Sequence, residues 1–414
     1  MARRFVPAGI ELLRQRDYRV LWLAHSGSVI GDGFSGVAMT WITFSTLGLG
    51  APGLAALGVV GTLPNLLLGI VSGTLVDRLD RRVVMVLADL VRAAVTGGLA
   101  LAVGLGVANL PIILFAGLVL TTANIFFSPA RQAVLPAYVA EDRLVAANSL
   151  LSISPQISSL VVPGVAALLF AIIGPVWLLA IDAASFVWSA LLIARLTPGP
   201  AMPGLTKRRP LVAEAADGLR FIATHRQTRF VILIAAGNQL FASGPWRVMI
   251  PFWVTAVLGG SVVDYGLLLT SLSAGLLVGF TVMASIRRML PLVRIIVLGV
   301  FFDGLTFGLF AFAPTLALAM LAFFALGIAN AVLNAANSAR LQLTVPSPMR
   351  GRVFASYSTS MNLTAPISLS ITGATATALG PVTLIAASGI GLMGVGALGF
   401  LASFRRSDPA PAPA

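Results

Sequence analysis

Asp32, Asp89, Arg92, Arg247 and Asp303 are charged side chains set inside long apolar runs. A charge at bilayer depth costs at least about 2.5–3.5 kcal/mol on insertion scales, so each one marks binding, coupling or ion pairing. Asp32 lies thirteen residues beyond Arg19, which at about 1.5 Å per helical residue puts it about 20 Å in, slightly past the bilayer middle. A carboxyl there either cycles a proton, as a coupling site must, or stands permanently paired. Asp89 and Arg92 are three apart and share a helix face, which suits an intrahelical ion pair bracing the preceding loop. Arg247 follows Gly244-Pro245-Trp246, a kink sequence. It faces Asp32 or an anionic substrate across a cavity, or it snorkels to the outer surface. Asp303 has no evident partner in sequence, and Asp182 and Asp264 fall near the outer ends of their runs, where they read as wet.

Uncharged polar residues add a second set of candidates. Asn124, Asn238, Gln239, Asn330, Asn334 and Asn337 either line a polar cavity or bond helix to helix. The last three recur at i, i+4 and i+7 and so share one face. Phe34, Phe126, Phe127 and Trp246 would supply the apolar wall of a ligand pocket. Enzyme chemistry finds little to work with. Two histidines, His25 and His225, lie far apart and there is no cysteine, too little for a metal site or a triad. No phosphate-binding G-x-x-x-x-G-K-[ST] occurs, so ATP is not the fuel, and no cofactor is expected.

The elements that carry these residues follow from composition. Of 414 residues, 58% are hydrophobic and 10% charged, against about 45–50% and about 25% in soluble domains. Runs of about 20 apolar residues are what a helix needs to cross a bilayer. Twelve are predicted: 19–46, 53–76, 83–106, 110–130, 144–171, 175–197, 228–257, 262–285, 291–312, 315–339, 353–378 and 381–404. The chain thus reads as an all-α polytopic membrane protein. The net charge of +13 is a matter of topology rather than of nucleic acid, because every Lys and Arg except Arg92 and Arg247 falls on one side of these spans. The positive-inside rule makes that side the cytoplasm, with both termini in it and the first span retained as a helix. Residues 198–227 form the one sizeable connection. Within it Leu211, Ala215, Leu219 and Ile222 recur at helical spacing, as in an amphipathic helix lying on the inner surface. The organisation is therefore a six-span half over 1–197, a linker over 198–227, a six-span half over 228–406 and a Pro/Ala tail over 407–414, expected to be disordered.

The halves repeat. Arg131 and Arg143 after span four are twelve apart, as are Arg340 and Arg352 after span ten, and Val37-Ala38-Met39 is echoed by Val248-Met249-Ile250. Parallel six-span repeats that bind substrate at the midplane and rock about it form one transporter architecture. The loop after span two, Gly73-Thr74-Leu75-Val76-Asp77-Arg78-Leu79-Asp80-Arg81-Arg82, resembles the G-x-x-x-D-R-x-G-R-R motif of the major facilitator superfamily, with Asp80 where many members have Gly. Ser128-Pro129-Ala130-Arg131, Ala146-Ala147-Asn148-Ser149 and Gly351-Arg352-Val353-Phe354 resemble its drug and siderophore exporters, enterobactin exporters among them. In span five Val162 stands where that branch's antiporter signature has Gly.

The resemblance implies a secondary exporter of amphipathic, drug-like or siderophore-like molecules, driven by protons and acting as a monomer in the inner membrane. The alternatives are an uptake or lipid transporter of the same fold, or a membrane sensor that moves nothing. In the loop, Gly73 admits a neighbouring helix. Asp77 is expected to accept backbone N–H groups at a helix start, and Arg78, Arg81 and Arg82 to grip carboxylates or carbonyl ends. Together with Asp89 and Arg92 these residues form a conformational latch.

Overall fold

Caps, glycines and prolines set where several helices of the computed structural model begin or end; it describes residues 11–76, 79–197, 220–346 and 349–404. The first unit contains α1, Arg16–Trp41 running on as a π turn over Ile42–Thr46, then α2 (Gly50–Val76), α3 (Arg81–Gly104), α4 (Leu110–Val134), α5 (Leu144–Ile173) and α6 (Pro175–Ile193). In the second unit α7 is built of Arg226–Gly244, a π turn Pro245–Met249 and Ile250–Ala256, and is followed by α8 (Val262–Ile286), α9 (Leu292–Phe310) and α10 (Leu316–Thr344). A last helical stretch, Arg350–Phe404, breaks at Gly380 into α11 (350–379) and α12 (381–404). The chain divides into two compact units, Met1–Arg208 and Arg209–Ala414.

The boundaries have local causes. Asn109 caps α4 by accepting the Ile112 N–H at 3.1 Å, and Thr315 caps α10 through Leu318 N at 3.4 Å. Ser261 and Asp264 form a capping box at the start of α8, each satisfying a backbone donor that the helix leaves free. The joints α5/α6 and α11/α12 are the same device: Gly174 and Gly380 take φ of 80° and 72°, open to glycine without strain, and Pro175 and Pro381 follow, with φ preset for a helix start.

Nine described stretches are long and apolar enough to cross a membrane, the last of them holding both α11 and α12. The helices outside this set, α1 and α7, open the two halves and carry Asp32 and Arg247. With them the count is the expected twelve, and the large apolar side chains left exposed, such as Leu67, Leu101, Phe115, Leu321 and Leu398, form surface for lipid. Span four runs on to Val134, so Arg131 belongs to α4 and not to a loop.

Small residues let the helices of each half approach closely, as packing in lipid requires. The buried stripe of α1 includes Ala24, Ser28, Gly31 and Ser35, and α5 and α6 pack along that helix. Tyr18 Oη donates to Ala147 O at 2.9 Å and Ser158 Oγ to Val29 O at 3.1 Å. In the second half a Cβ on Gly389 would stand 2.6 Å from the Gly308 Cα and 2.7 Å from the Gly304 carbonyl oxygen, so α9 and α12 touch backbone to backbone. In the linker region Ile222 is buried against Ile232, Val345 and Val353, whereas Leu211, Ala215, Leu219 and the tail beyond residue 404 lie outside the described residues.

Candidate functional site

Each unit encloses a polar cavity. That of the first half is about 210 Å³ and is lined by His25, Ser28 and Asp32 of α1, Arg92 of α3, and Asn124, Phe127, Ser128 and Arg131 of α4. Arg92 is its centre. The side chain is buried between two aromatic rings, its guanidinium carbon 4.8 Å from the Phe127 centroid and 4.3 Å from that of Phe186 on α6, where ring faces attract a cation. Its Nη2 donates to Asp89, which is itself fully buried, so the ion pair expected from the i, i+3 spacing forms. Arg92 does more than brace a loop, however, because its Nη1 also stands 3.8 Å from Asp32. Asp32 is the exposed member of the trio, with 51% of its side chain accessible. Asp89 therefore neutralises the guanidinium in direct contact, while Asp32 is held loosely and faces the cavity.

Asp182 corrects the sequence reading outright. It is 1% exposed, not wet, because α6 turns it onto α1, where Ser35 Oγ donates to Oδ2, and Ser185, one turn further along α6, reaches Oδ1 at 3.3 Å. Sequence reasoning also left His25 and Arg131 outside the site. The signal for Arg131 was present in Ser128-Pro129-Ala130-Arg131, where Pro129 sits inside α4 instead of ending it.

The second cavity, about 310 Å³, is lined by Asn238, Gln239, Trp246 and Arg247 of α7, Asp303 and Phe307 of α9 and Asn330 and Asn334 of α10, among others. Asp303 does have a partner: Asn238 Nδ2 donates to its Oδ2 at 3.2 Å, and the carboxyl is 4% exposed. Its Oδ1 has no hydrogen-bond partner among the described residues. Asn334 Nδ2 donates to the Asn330 side-chain oxygen at 2.8 Å, while Asn337 is buried away from the cavity lining. Arg247 opens into this cavity within its own half, and among the described residues no carboxylate lies within 4.0 Å of it. Trp246 and Phe307, 6.1 Å apart, give the apolar wall, and Phe127 gives that of the first half. Phe126 packs instead into the core around Leu21 and Met85.

At the loop motif the cap falls to Asp80, the departure from the pattern: its carboxylate accepts the Arg82 N–H at 2.8 Å and that of Val83 at 3.3 Å. Arg81 Nη1 donates to the Ala133 carbonyl near the end of α4 at 3.0 Å, and Arg82 Nη2 to the Ala194 carbonyl just past α6. Arg81 and Arg82 thus grip carbonyl ends. Gly73 lies within α2, and Asp77 and Arg78 lie outside the described residues. Asp89 and Arg92 stand two to three turns along α3 from this grip; Arg92 lines the cavity and Asp89 is buried against its guanidinium.

A two-unit, twelve-helix membrane fold with a charged cavity in each half defines a secondary transporter, and the comparisons with known proteins agree. A family model described as transmembrane secretion effector matches residues 8–412; the chain belongs to this family of major facilitator transporters. The chain is 26% identical over 404 residues to the uncharacterized MFS-type transporter YvqJ of Bacillus subtilis, with 95% of each chain covered. It is 29% identical to the multidrug efflux pump Tap of Mycolicibacterium fortuitum, covering 92% of this chain and 95% of Tap. With macrolide efflux protein A of Enterococcus faecalis it shares 24%, over 78% of this chain and all of the relative. Among solved structures, an inward-facing bacterial homologue of the lysosomal transporter Spinster superposes with a TM-score of 0.75 at 16% identity, covering 98% of this chain and 99% of the other. That likeness concerns the fold alone.

Proposed function

We propose that this transporter is an exporter that carries amphipathic, drug-like small molecules outward across the cytoplasmic membrane in exchange for protons, as a monomer with both termini cytoplasmic. The full-length relatives named for multidrug and macrolide efflux support the direction and favour antibiotic-like over siderophore-like cargo. In this reading 1–197 and 228–406 are six-helix halves joined by the linker 198–227, and transport proceeds by the alternating access of that architecture.

The observation that carries the coupling is Asp32, open to a cavity and 3.8 Å from a guanidinium already neutralised by Asp89. Ionised, Asp32 adds a negative charge and is drawn to Arg92; protonated, it loses that attraction and the cluster gains one unit of positive charge. A proton thereby changes what the cavity attracts. In the second half the amides of Asn238, Gln239, Asn330 and Asn334 offer hydrogen bonds, Asp303 and Arg247 offer charge of either sign, and Trp246 and Phe307 offer apolar surface. That mixture suits amphipathic cargo. Arg81 and Arg82 tie α3 to the ends of α4 and α6, and with Gly73, Asp77 and Arg78 they form a latch that holds in one state and opens in the other.

Substrate flux in proteoliposomes under an imposed pH gradient tests the reading. Accumulation should follow the gradient in the wild type and be lost in Asp32→Asn, with exchange of substrate for substrate retained. Gradient-driven accumulation that survives in Asp32→Asn would overturn the assignment of Asp32.

A further inference from the structure

Asp182 is the buried charge that the exporter reading leaves without a task. It stands in mid-α6 opposite Gly31, where a Cβ would come within 2.4 Å of Asp182 Oδ1 and 2.2 Å of Ser185 Oγ. Glycine at that point lets the carboxyl press against α1. Both its oxygens are met by hydroxyls, Ser35 on Oδ2 and Ser185 on Oδ1. No Lys, Arg or His among the described residues makes an ion pair with it. Of the ionisable groups on the helices packed around it, Arg16, Asp17, Tyr18 and Arg19 open α1 and Arg81 and Arg82 open α3, which leaves His25 and Asp32 further along α1 and Asp89 and Arg92 further along α3, while α5 carries none. Three carboxyls therefore share one guanidinium, and Arg92 is turned to the other two.

A carboxylate this deeply buried with no cation is costly, and a proton removes the cost. The hydroxyl partners suit either form, since a serine O–H donates to a carboxylate and its oxygen accepts from a carboxyl. Ser35 follows Asp32 by three residues and so lies on the same face of α1, and its hydroxyl joins that face to Asp182.

We infer that Asp182 is a second proton-binding carboxyl of the first half, exchanging its proton with the Asp32 cavity by way of the Ser35 hydroxyl. In the inward step a proton arriving from the cavity side joins a lone pair of Ser35 Oγ as the hydrogen already on that oxygen passes to Asp182 Oδ2. One O–H bond forms and one breaks at serine, and one proton is gained by the carboxylate. The inference rests on the proton-coupled reading: Asp182 takes its proton from the Asp32 carboxyl, so Asp32→Asn uncouples both sites whereas Asp182→Asn uncouples one.

Infrared difference spectra of the whole protein in lipid, recorded across a pH titration in H₂O and D₂O, read this directly. The wild type should show a protonated-carboxyl C=O band at neutral pH that shifts in D₂O and is missing from Asp182→Asn. Ser35→Ala, which keeps the carboxyl, should retain the band with slower deuterium exchange. A spectrum of Asp182→Asn that superimposes on the wild type, or exchange in Ser35→Ala at the wild-type rate, overturns the inference. In proteoliposomes with the membrane potential clamped at zero, steady-state accumulation should be lower in Asp182→Asn by roughly tenfold per pH unit of gradient, since one proton fewer is coupled and each unit is a decade. Accumulation that follows the gradient equally in wild type and variant overturns this inference alone. Wild-type accumulation indifferent to the gradient overturns the proton-coupled reading beneath it.

Discussion

Arg92 has two carboxylates within reach, and the difference between them makes a testable contrast. Asp89 is fully buried and in direct contact, so Asp89→Asn leaves a guanidinium enclosed by Phe127 and Phe186 with only Asp32 at 3.8 Å. Breaking a buried pair in this way costs about 3–5 kcal/mol, which at about 2–4 °C per kcal/mol lowers Tm by roughly 10 °C. Asp32 is half exposed, so Asp32→Asn should cost about 1 kcal/mol or less while abolishing gradient-driven flux. Thermal melts followed by tryptophan fluorescence check the order, and equal destabilisation by the two variants would mean that Asp32 is as structural as Asp89. Of this cluster the sequence made the Asp89–Arg92 pair legible, because three residues on one helix is a local relation. The approach of Asp32 and Phe186 was hidden, because nothing in either segment states which helix it will meet.

At the scale of a helix, the start of α3 is capped by Asp80, whereas the sequence assigns the capping role in this loop to Asp77. Asp80 makes both cap bonds, so Asp80→Ala should lower stability by about 1 kcal/mol, the usual worth of an N-cap, and Tm by about 2–4 °C. Asp77→Asn should insert normally and slow transport if Asp77 serves the latch, a result measured as initial efflux rate against surface expression. Normal flux from well-inserted Asp77→Asn protein would remove the residue from the latch. The α9/α12 crossing gives a stronger effect. Gly389→Val places side-chain atoms where the backbone of Gly304 and Gly308 already stands, and an overpacked contact of this kind costs about 1–3 kcal/mol or more. Gly394, with nothing within 4 Å of an added Cβ, should accept alanine. Yield of monodisperse protein in detergent distinguishes the two.

For the molecule as a whole, the arginine distribution predicts topology, and the absence of cysteine makes the test simple. A membrane-impermeant maleimide should label Ala108→Cys, between α3 and α4, in intact cells. It should label Ser407→Cys only after the inner face is exposed. Labelling of Ser407→Cys in intact cells would invert the orientation, and with it the direction in which the exporter reading moves its cargo.

Hydropathy, the arginine pattern and the Pro/Gly punctuation by themselves determined the twelve helices and nearly all of their limits, since insertion and helix termination depend on residues within about twenty of one another. The loop motif determined the superfamily for the same reason. What only tertiary structure decided is which polar groups share a cavity. Asp182 was read as wet from its place near a span end, yet α6 packs against α1 and buries it beneath Ser35. Asp303 was read as partnerless, yet α7 brings Asn238 to it. Arg131 was assigned to a loop, yet α4 continues through Pro129 and carries it into the first cavity. The first two outcomes depend on the rotation of one helix against another distant in sequence, which close approaches such as that at Gly31 permit and which hydropathy, a property of single segments, does not encode.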